Sequence, residues 1–188
     1  MTPDEVTHDE APLPASGSTG NTARTISIVV GVVVVAFIAL LAYGGTNPTQ
    51  ASSRLVDKRV PAVQGETLAG GTYDIDSARG RWVLVNFFAT WCPGCIDEHP
   101  DLVELEQYGN ETGAIEVVSI VFDDDPDKVA ELFAELGGSW PVLADDGQLA
   151  VTFQIAQVPE SFLVDPSGVV VAHATGGIKA DDIIAVIS

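Results

Sequence analysis

The chain has 188 residues and carries 8 Lys+Arg against 27 Asp+Glu, a net charge of −19. That length accommodates one domain with appendages. The charge excludes nucleic acid as a partner and disfavours an anionic lipid surface, because phosphates are repelled.

The first 25 residues are rich in Pro, Ser, Thr, Gly and acids and hold few apolar side chains to bury. They are expected to be a disordered acidic tail. Residues 26–45, "ISIVVGVVVVAFIALLAYGG", contain no charge and match the roughly 20 residues that a helix needs to cross a bilayer. A lone span must be helical, since lipid offers no partner to backbone N–H and C=O groups. The acidic n-region, the long apolar run and the lack of a small-residue cleavage site favour an uncleaved anchor over a signal peptide. Residues 46–53, "TNPTQASS", read as a polar linker. Residues 54–188 read as one globular domain. Arg24 precedes the span, and Arg54, Lys58 and Arg59 follow it. Taken alone, this asymmetry would put the domain in the cytoplasm.

Residues 60–80 carry the signals of a short edge hairpin and one helical turn. "WVLVNFF" is an almost wholly apolar, β-prone run and predicts a central strand buried on both faces. "CIDEHPDLVELEQYG" predicts a helix kinked at Pro100. Residues 114–122 predict a second buried strand. "DPDKVAELFAELGG" is an amphipathic helix, with Pro126 near its start, Val129, Leu132, Phe133 and Leu136 on one face, and Gly137 at its end. A shorter helix follows in "DGQLAVTFQI". "SFLVDPSGVVVAHA" is a hairpin about Asp165-Pro166-Ser167-Gly168. The chain closes on a helix that Asp181 or Asp182 would cap. Strands alternating with helices, then an antiparallel pair, give an α/β sandwich with a mixed central sheet flanked by helices.

Cys92 and Cys95 are the only cysteines. Structural zinc needs four ligands, and the folded region adds only His99 and His173, one of them distant. A structural disulfide two residues wide would restrain the unfolded chain little. Inert buried thiols are a third reading. The fourth is redox chemistry. The unpaired N–H groups and dipole at a helix N-terminus stabilise a thiolate, which is where the pattern places Cys92. Cys95 lies one turn on, within reach of a mixed disulfide formed by Cys92.

The stretch "NFFATWCPGCIDEHP" resembles the active site of the thioredoxin superfamily: strand, Trp, Cys-x-x-Cys, and a helix with proline five residues after the second cysteine. Within that superfamily the chain resembles the membrane-anchored TlpA/ResA-like branch, which includes the cytochrome c maturation thioredoxins. "VLVNFFATWCPGC", Glu98 and "QVPESFLVDPSG" carry this resemblance, which spans residues 60–188.

The resemblance implies a thioredoxin-like fold behind one N-terminal transmembrane helix, with no cofactor. Cys92 would be the nucleophile and Cys95 the resolving thiol. Trp91 would shield the site. Pro159 would be cis, with Val158 offering backbone groups to an extended substrate segment. Glu98, one turn from Cys95 and buried near sulfur, would accept the Cys95 proton. Many thioredoxins place a buried Asp where this chain has Asn86, so the general base falls to Glu98 or water. His99 and His173 receive no role.

The implied partners are disulfide-containing exported proteins such as apocytochrome c, a thiol protein in the membrane that donates electrons, and the membrane itself through the anchor. A catalytic pair without a third cysteine suits an exported setting, which outweighs the charge asymmetry and puts the domain outside the bacterial cell membrane on a single pass. Two other functions compete. A peroxiredoxin-like peroxidase would set Thr near its cysteine, as Thr90 stands here, but no Pro precedes it. A copper-binding chaperone would use both cysteines and His173.

Overall fold

The computed structural model describes Ile26, residues 29–33 and residues 53–188. Ile26 and residues 29–33 are helical. Among the described residues no helix is long and apolar enough to cross a membrane. The rest of the expected tail, anchor and linker lies outside the described residues.

Within residues 53–188, β1 (Gln64–Glu66) and β2 (Thr72–Asp74) pair antiparallel as a separate hairpin, and a 3-10 turn follows at Ile75–Ala78. Then come β3 (Trp82–Phe88), α1 (Pro93–Thr112), β4 (Ile115–Val121), α2 (Pro126–Leu136), β5 (Val142–Leu143), α3 (Gln148–Phe153), β6 (Glu160–Val164), β7 (Val170–Thr175) and α4 (Ala180–Ile187). The five-stranded sheet has the order β5-β4-β3-β6-β7. β3 pairs parallel with β4 and antiparallel with β6, and β6 pairs antiparallel with β7. This is the expected α/β sandwich with a mixed sheet.

β3 is central because both its faces are apolar. Leu84 and Phe88 join Leu102 and Leu105 of α1, Val117 and Val121 of β4, and Val129 of α2. Val83, Val85 and Phe87 join Val118, Ile120, Phe153 and Phe162 on the other face. Burying each such side chain stabilises the fold by about 1.5–3 kcal/mol. Phe87, Phe153 and Phe162 pack tilted or edge-on, with ring centroids 5.0–6.2 Å apart, as the aromatic quadrupole prefers.

Two details differ from the sequence reading, whereas Pro100 lies inside α1 as expected. β5 is an additional strand, only two residues long, held between β4 and the bridge Thr67–Leu143; two residues carry no periodicity to read. Neither Asp181 nor Asp182 caps α4. Lys179 holds the N-cap position without a side-chain bond, and both acids lie in the first turn. The cap comes from another helix: Asp101 of α1 accepts the Ala180 N–H at 3.1 Å and the Lys179 ammonium at 2.9 Å. The hairpin turn follows its sequence, with Asp165 Oδ1 accepting N–H bonds from Ser167 and Val169 and Gly168 in the left-handed region.

Candidate active site

β3 delivers the chain to the edge of the sheet, and α1 begins four residues after Ala89. Cys92 is the N-cap of α1, with Pro93 at its first helical position. Pro is favoured there because its missing N–H would have no intrahelical partner. The Cys95 N–H donates to Cys92 Sγ at 3.1 Å, so the sulfur occupies the capping position that Ser or Asp takes in other helices. Cys92 and Cys95 form a disulfide. Both are buried, Cys92 with 5% of its surface exposed.

Two loops frame the sulfurs. On one side the Val158–Pro159 peptide is cis, and a Cβ placed on Gly94 would lie 3.3 Å from Pro159 Cδ. Gly94 therefore brings the dithiol turn against Pro159. On the other side lies the loop from β4 to α2. Asp124 Oδ2 accepts the Thr90 N–H at 2.5 Å and its hydroxyl at 2.6 Å, and the Trp91 indole N–H donates to the Asp123 carbonyl at 3.1 Å. Burial works against the Asp124 anion, but the bonds from Thr90 and the Asp125 N–H outweigh it and hold the carboxyl below its ordinary range. Trp91, pinned by its N–H, leaves 56% of its surface in solvent.

Glu98 lies on α1 three residues after Cys95, is 2% exposed and is turned toward β3 of the sheet. Its Oε1 accepts from Asn86 Nδ2 at 2.8 Å and its Oε2 from the Ile178 N–H at 3.1 Å. Burial pushes the carboxyl up from 4.5 to about 7, although these two bonds favour the anion. Asn86 is held in turn. Its amide nitrogen also reaches Ser161 Oγ at 3.1 Å, and its oxygen accepts the Ser119 hydroxyl at 3.3 Å. In the ladder Asn86 is the direct partner of both Ser119 and Ser161. Three adjacent strands thus contribute one uncharged polar residue each to a single row.

The structure joins Cys92 to Cys95, sets Pro159 against the Gly94 turn between them and buries Glu98 three residues after Cys95, with Trp91 exposed and Val158 half-buried before Pro159. His99 is buried between Phe133 and Trp140, with Nε2 2.9 Å from the Gly137 carbonyl. His173 stacks on Phe162 and bonds Glu160 Oε2 at 2.8 Å. That packing belongs to the face of the sheet opposite the cysteines, so Cys92, Cys95 and His173 do not converge as a copper site requires. Among the described residues no cluster of three or more His, Cys, Asp or Glu could hold a metal ion. The Thr90 hydroxyl, the feature that favoured a peroxidase, directs its hydrogen to Asp124.

Sequence reasoning passed over Thr90 with Asp124, the Ser119–Asn86–Ser161 row, and Glu160. The signal for the row was present: Ser119 and Ser161, like Asn86, are polar residues set among apolar neighbours in their strands. Glu160 accepts the N–H groups of Ala156 and Gln157 at 3.1 and 3.3 Å, fastening the loop that precedes Pro159.

A disulfide-forming Cys-x-x-Cys at a helix N-cap, set beneath a cis-proline on a mixed five-stranded sheet, defines a thioredoxin-fold protein of dithiol chemistry. Known proteins agree. A solved thiol:disulfide interchange protein of the thioredoxin family from Chlorobium tepidum superposes with a TM-score of 0.65 at 28% identity, covering 73% of this chain and 97% of that one. The thiol:disulfide interchange protein HelX of Rhodobacter capsulatus is 34% identical over 139 residues, 72% of this chain and 76% of its own. The thiol:disulfide interchange protein DsbE of Escherichia coli K12 is 37% identical over 131 residues, 67% and 68% of the two chains. The family model described as Redoxin matches residues 55–186. The chain belongs to the Redoxin family, and it is a thiol–disulfide oxidoreductase.

Proposed function

We propose that the chain is a membrane-anchored, extracytoplasmic reductant of exported proteins, with apocytochrome c as the substrate class that its resemblance to cytochrome c maturation thioredoxins favours. The layout is that of the sequence: an acidic tail over 1–25, an anchor over 26–45, a linker over 46–53 and the catalytic domain beyond. The names of its relatives support interchange chemistry. The anchor, the outward orientation and the substrate rest on the apolar run, on the paucity of cysteine and on that resemblance.

The observation that carries the mechanism is the Cys95 N–H aimed at Cys92 Sγ. In the reduced protein the same N–H and the α1 dipole stabilise a Cys92 thiolate. That thiolate attacks a substrate disulfide, forming a mixed disulfide and expelling one substrate thiolate. Cys95 gives its proton to Glu98 and attacks Cys92 Sγ. The internal disulfide forms, and the second substrate sulfur leaves as a thiolate. Two electrons pass to the substrate, which takes up two protons. A thiol protein in the membrane restores the dithiol. Trp91 forms the rim against which the substrate rests, and Val158 and Pro159 present backbone to an extended segment.

The test is trapping with Cys95→Ser. The Cys92 mixed disulfide then persists, and mass spectrometry of the captured species identifies the substrate. Recovery of no Cys92-linked protein from the exported fraction would refute the reductant role.

A further inference from the structure

Glu98 does not receive its hydrogen bond from a freely turning amide. The Trp140 indole N–H is a donor only. It donates to Ser119 Oγ at 2.8 Å in a buried setting. The Ser119 hydroxyl hydrogen is thereby directed to its other neighbour, Asn86 Oδ1, at 3.3 Å. With its oxygen engaged by that hydroxyl, the Asn86 amide turns its nitrogen to Glu98 Oε1 at 2.8 Å and Ser161 Oγ at 3.1 Å. The reversed amide would set its oxygen against the Glu98 carboxylate and take from the Ser119 hydroxyl hydrogen the acceptor it has in Asn86 Oδ1. Such mismatches are costly at this burial. One indole, distant from Glu98 in sequence, thus fixes the sense of every bond between them.

We propose that Trp140 and Ser119 are positioning residues for the exchange reaction: they lock the Asn86 amide so that an N–H always faces Glu98 and holds that carboxyl as an acceptor beside the dithiol. The inference deepens the reading of Glu98 as the base for Cys95 and rests on it for its consequence in catalysis. As an anion Glu98 is met by a donor on each oxygen, Asn86 and the Ile178 N–H. As an acid it presents a hydroxyl to donors alone. The row therefore offsets part of the burial that favours the acid. Besides Asn86 of β3 and the Ile178 N–H, two charged groups act on Glu98: Asp101 of α1, which disfavours the anion, and Lys179 at the head of α4, which favours it. Ser119 of β4 and Ser161 of β6, both uncharged, act on it through Asn86.

The experiment is a 13C-carboxyl NMR titration of Glu98 in the full-length chain in its disulfide form, where neither sulfur titrates. Trp140→Phe keeps an aromatic ring and removes the donor, and Ser119→Ala removes the middle link. Each should raise the Glu98 midpoint by about half to one pH unit, the scale of one weakened bond to a charged group. Because the links act in series, the double variant should move it no further than the larger single change. An unmoved midpoint in both variants, or additive shifts, overturns the proposal. The pH dependence of dithiol–disulfide exchange by the reduced variants separates it from the reading beneath. If the midpoint moves and the rate profile follows, both stand. If the midpoint moves and the rate profile does not, the positioning role stands and the base role of Glu98 fails.

Discussion

Replacing Glu98 by Gln tests the energetics of the buried carboxyl directly. Burial lifts the carboxyl from 4.5 to about 7. Between those values the folded chain holds a proton that the unfolded chain has released, so stability must fall as pH rises. The contribution is fully present below pH 4.5 and lost once pH passes about 7. At about 1.4 kcal/mol per pH unit, the gap comes to about 3 kcal/mol. The amide of the variant cannot ionise. Like the protonated acid, it offers one accepting oxygen and one group bearing hydrogen, so the two proteins should have similar stability at about pH 4.5. At about pH 8, Glu98→Gln should be the more stable by about 3 kcal/mol. Urea unfolding of the disulfide form at both pH values measures this, with an expected midpoint difference of about 1–2 M at the higher pH for an ordinary urea slope. Parallel stability profiles, differing by less than about 0.5 kcal/mol in their pH dependence, would refute the claim that this carboxyl is buried and ionises at a cost.

Two further substitutions probe the frame around the site. A Cβ on Gly109 would lie within 2.2 Å of the Ile115 carbonyl oxygen, a backbone atom that cannot swing aside. Gly109→Ala should therefore lower stability by about 2 kcal/mol despite the better helix former, as α1 is pushed off β4; thermal or urea unfolding reads the loss, and a gain would contradict the close approach. Glu160→Gln weakens the acceptor that fastens the loop before Pro159. Hydrogen exchange at the Ala156 and Gln157 amides should accelerate about tenfold, the effect of about 1.4 kcal/mol, while amides of β4 stay unchanged.

Much of this site is legible in the chain alone because its parts are local. The cysteine spacing, Pro93 at the first helical position and the apolar run of β3 all act within one strand and one turn. Neighbours in sequence dictate a strand that ends where a helix N-terminus begins, and hence a sulfur at the cap. The cis-proline was legible only through resemblance, since a Val-Pro pair has no intrinsic reason to be cis.

What only the tertiary structure decided is where each lone polar residue finds its partner. Asn86, Ser119 and Ser161 are far apart in sequence and become one row because the register of β3 with β4 and β6 sets them side by side. The α4 cap falls to Asp101 rather than to Asp181 or Asp182 for the same reason: a side chain 79 residues away reaches the Ala180 N–H. Local sequence sets the direction of the backbone, whereas a buried polar atom must be satisfied by whatever the packing brings within about 3 Å, and that choice is made only when the sheet and helices close together.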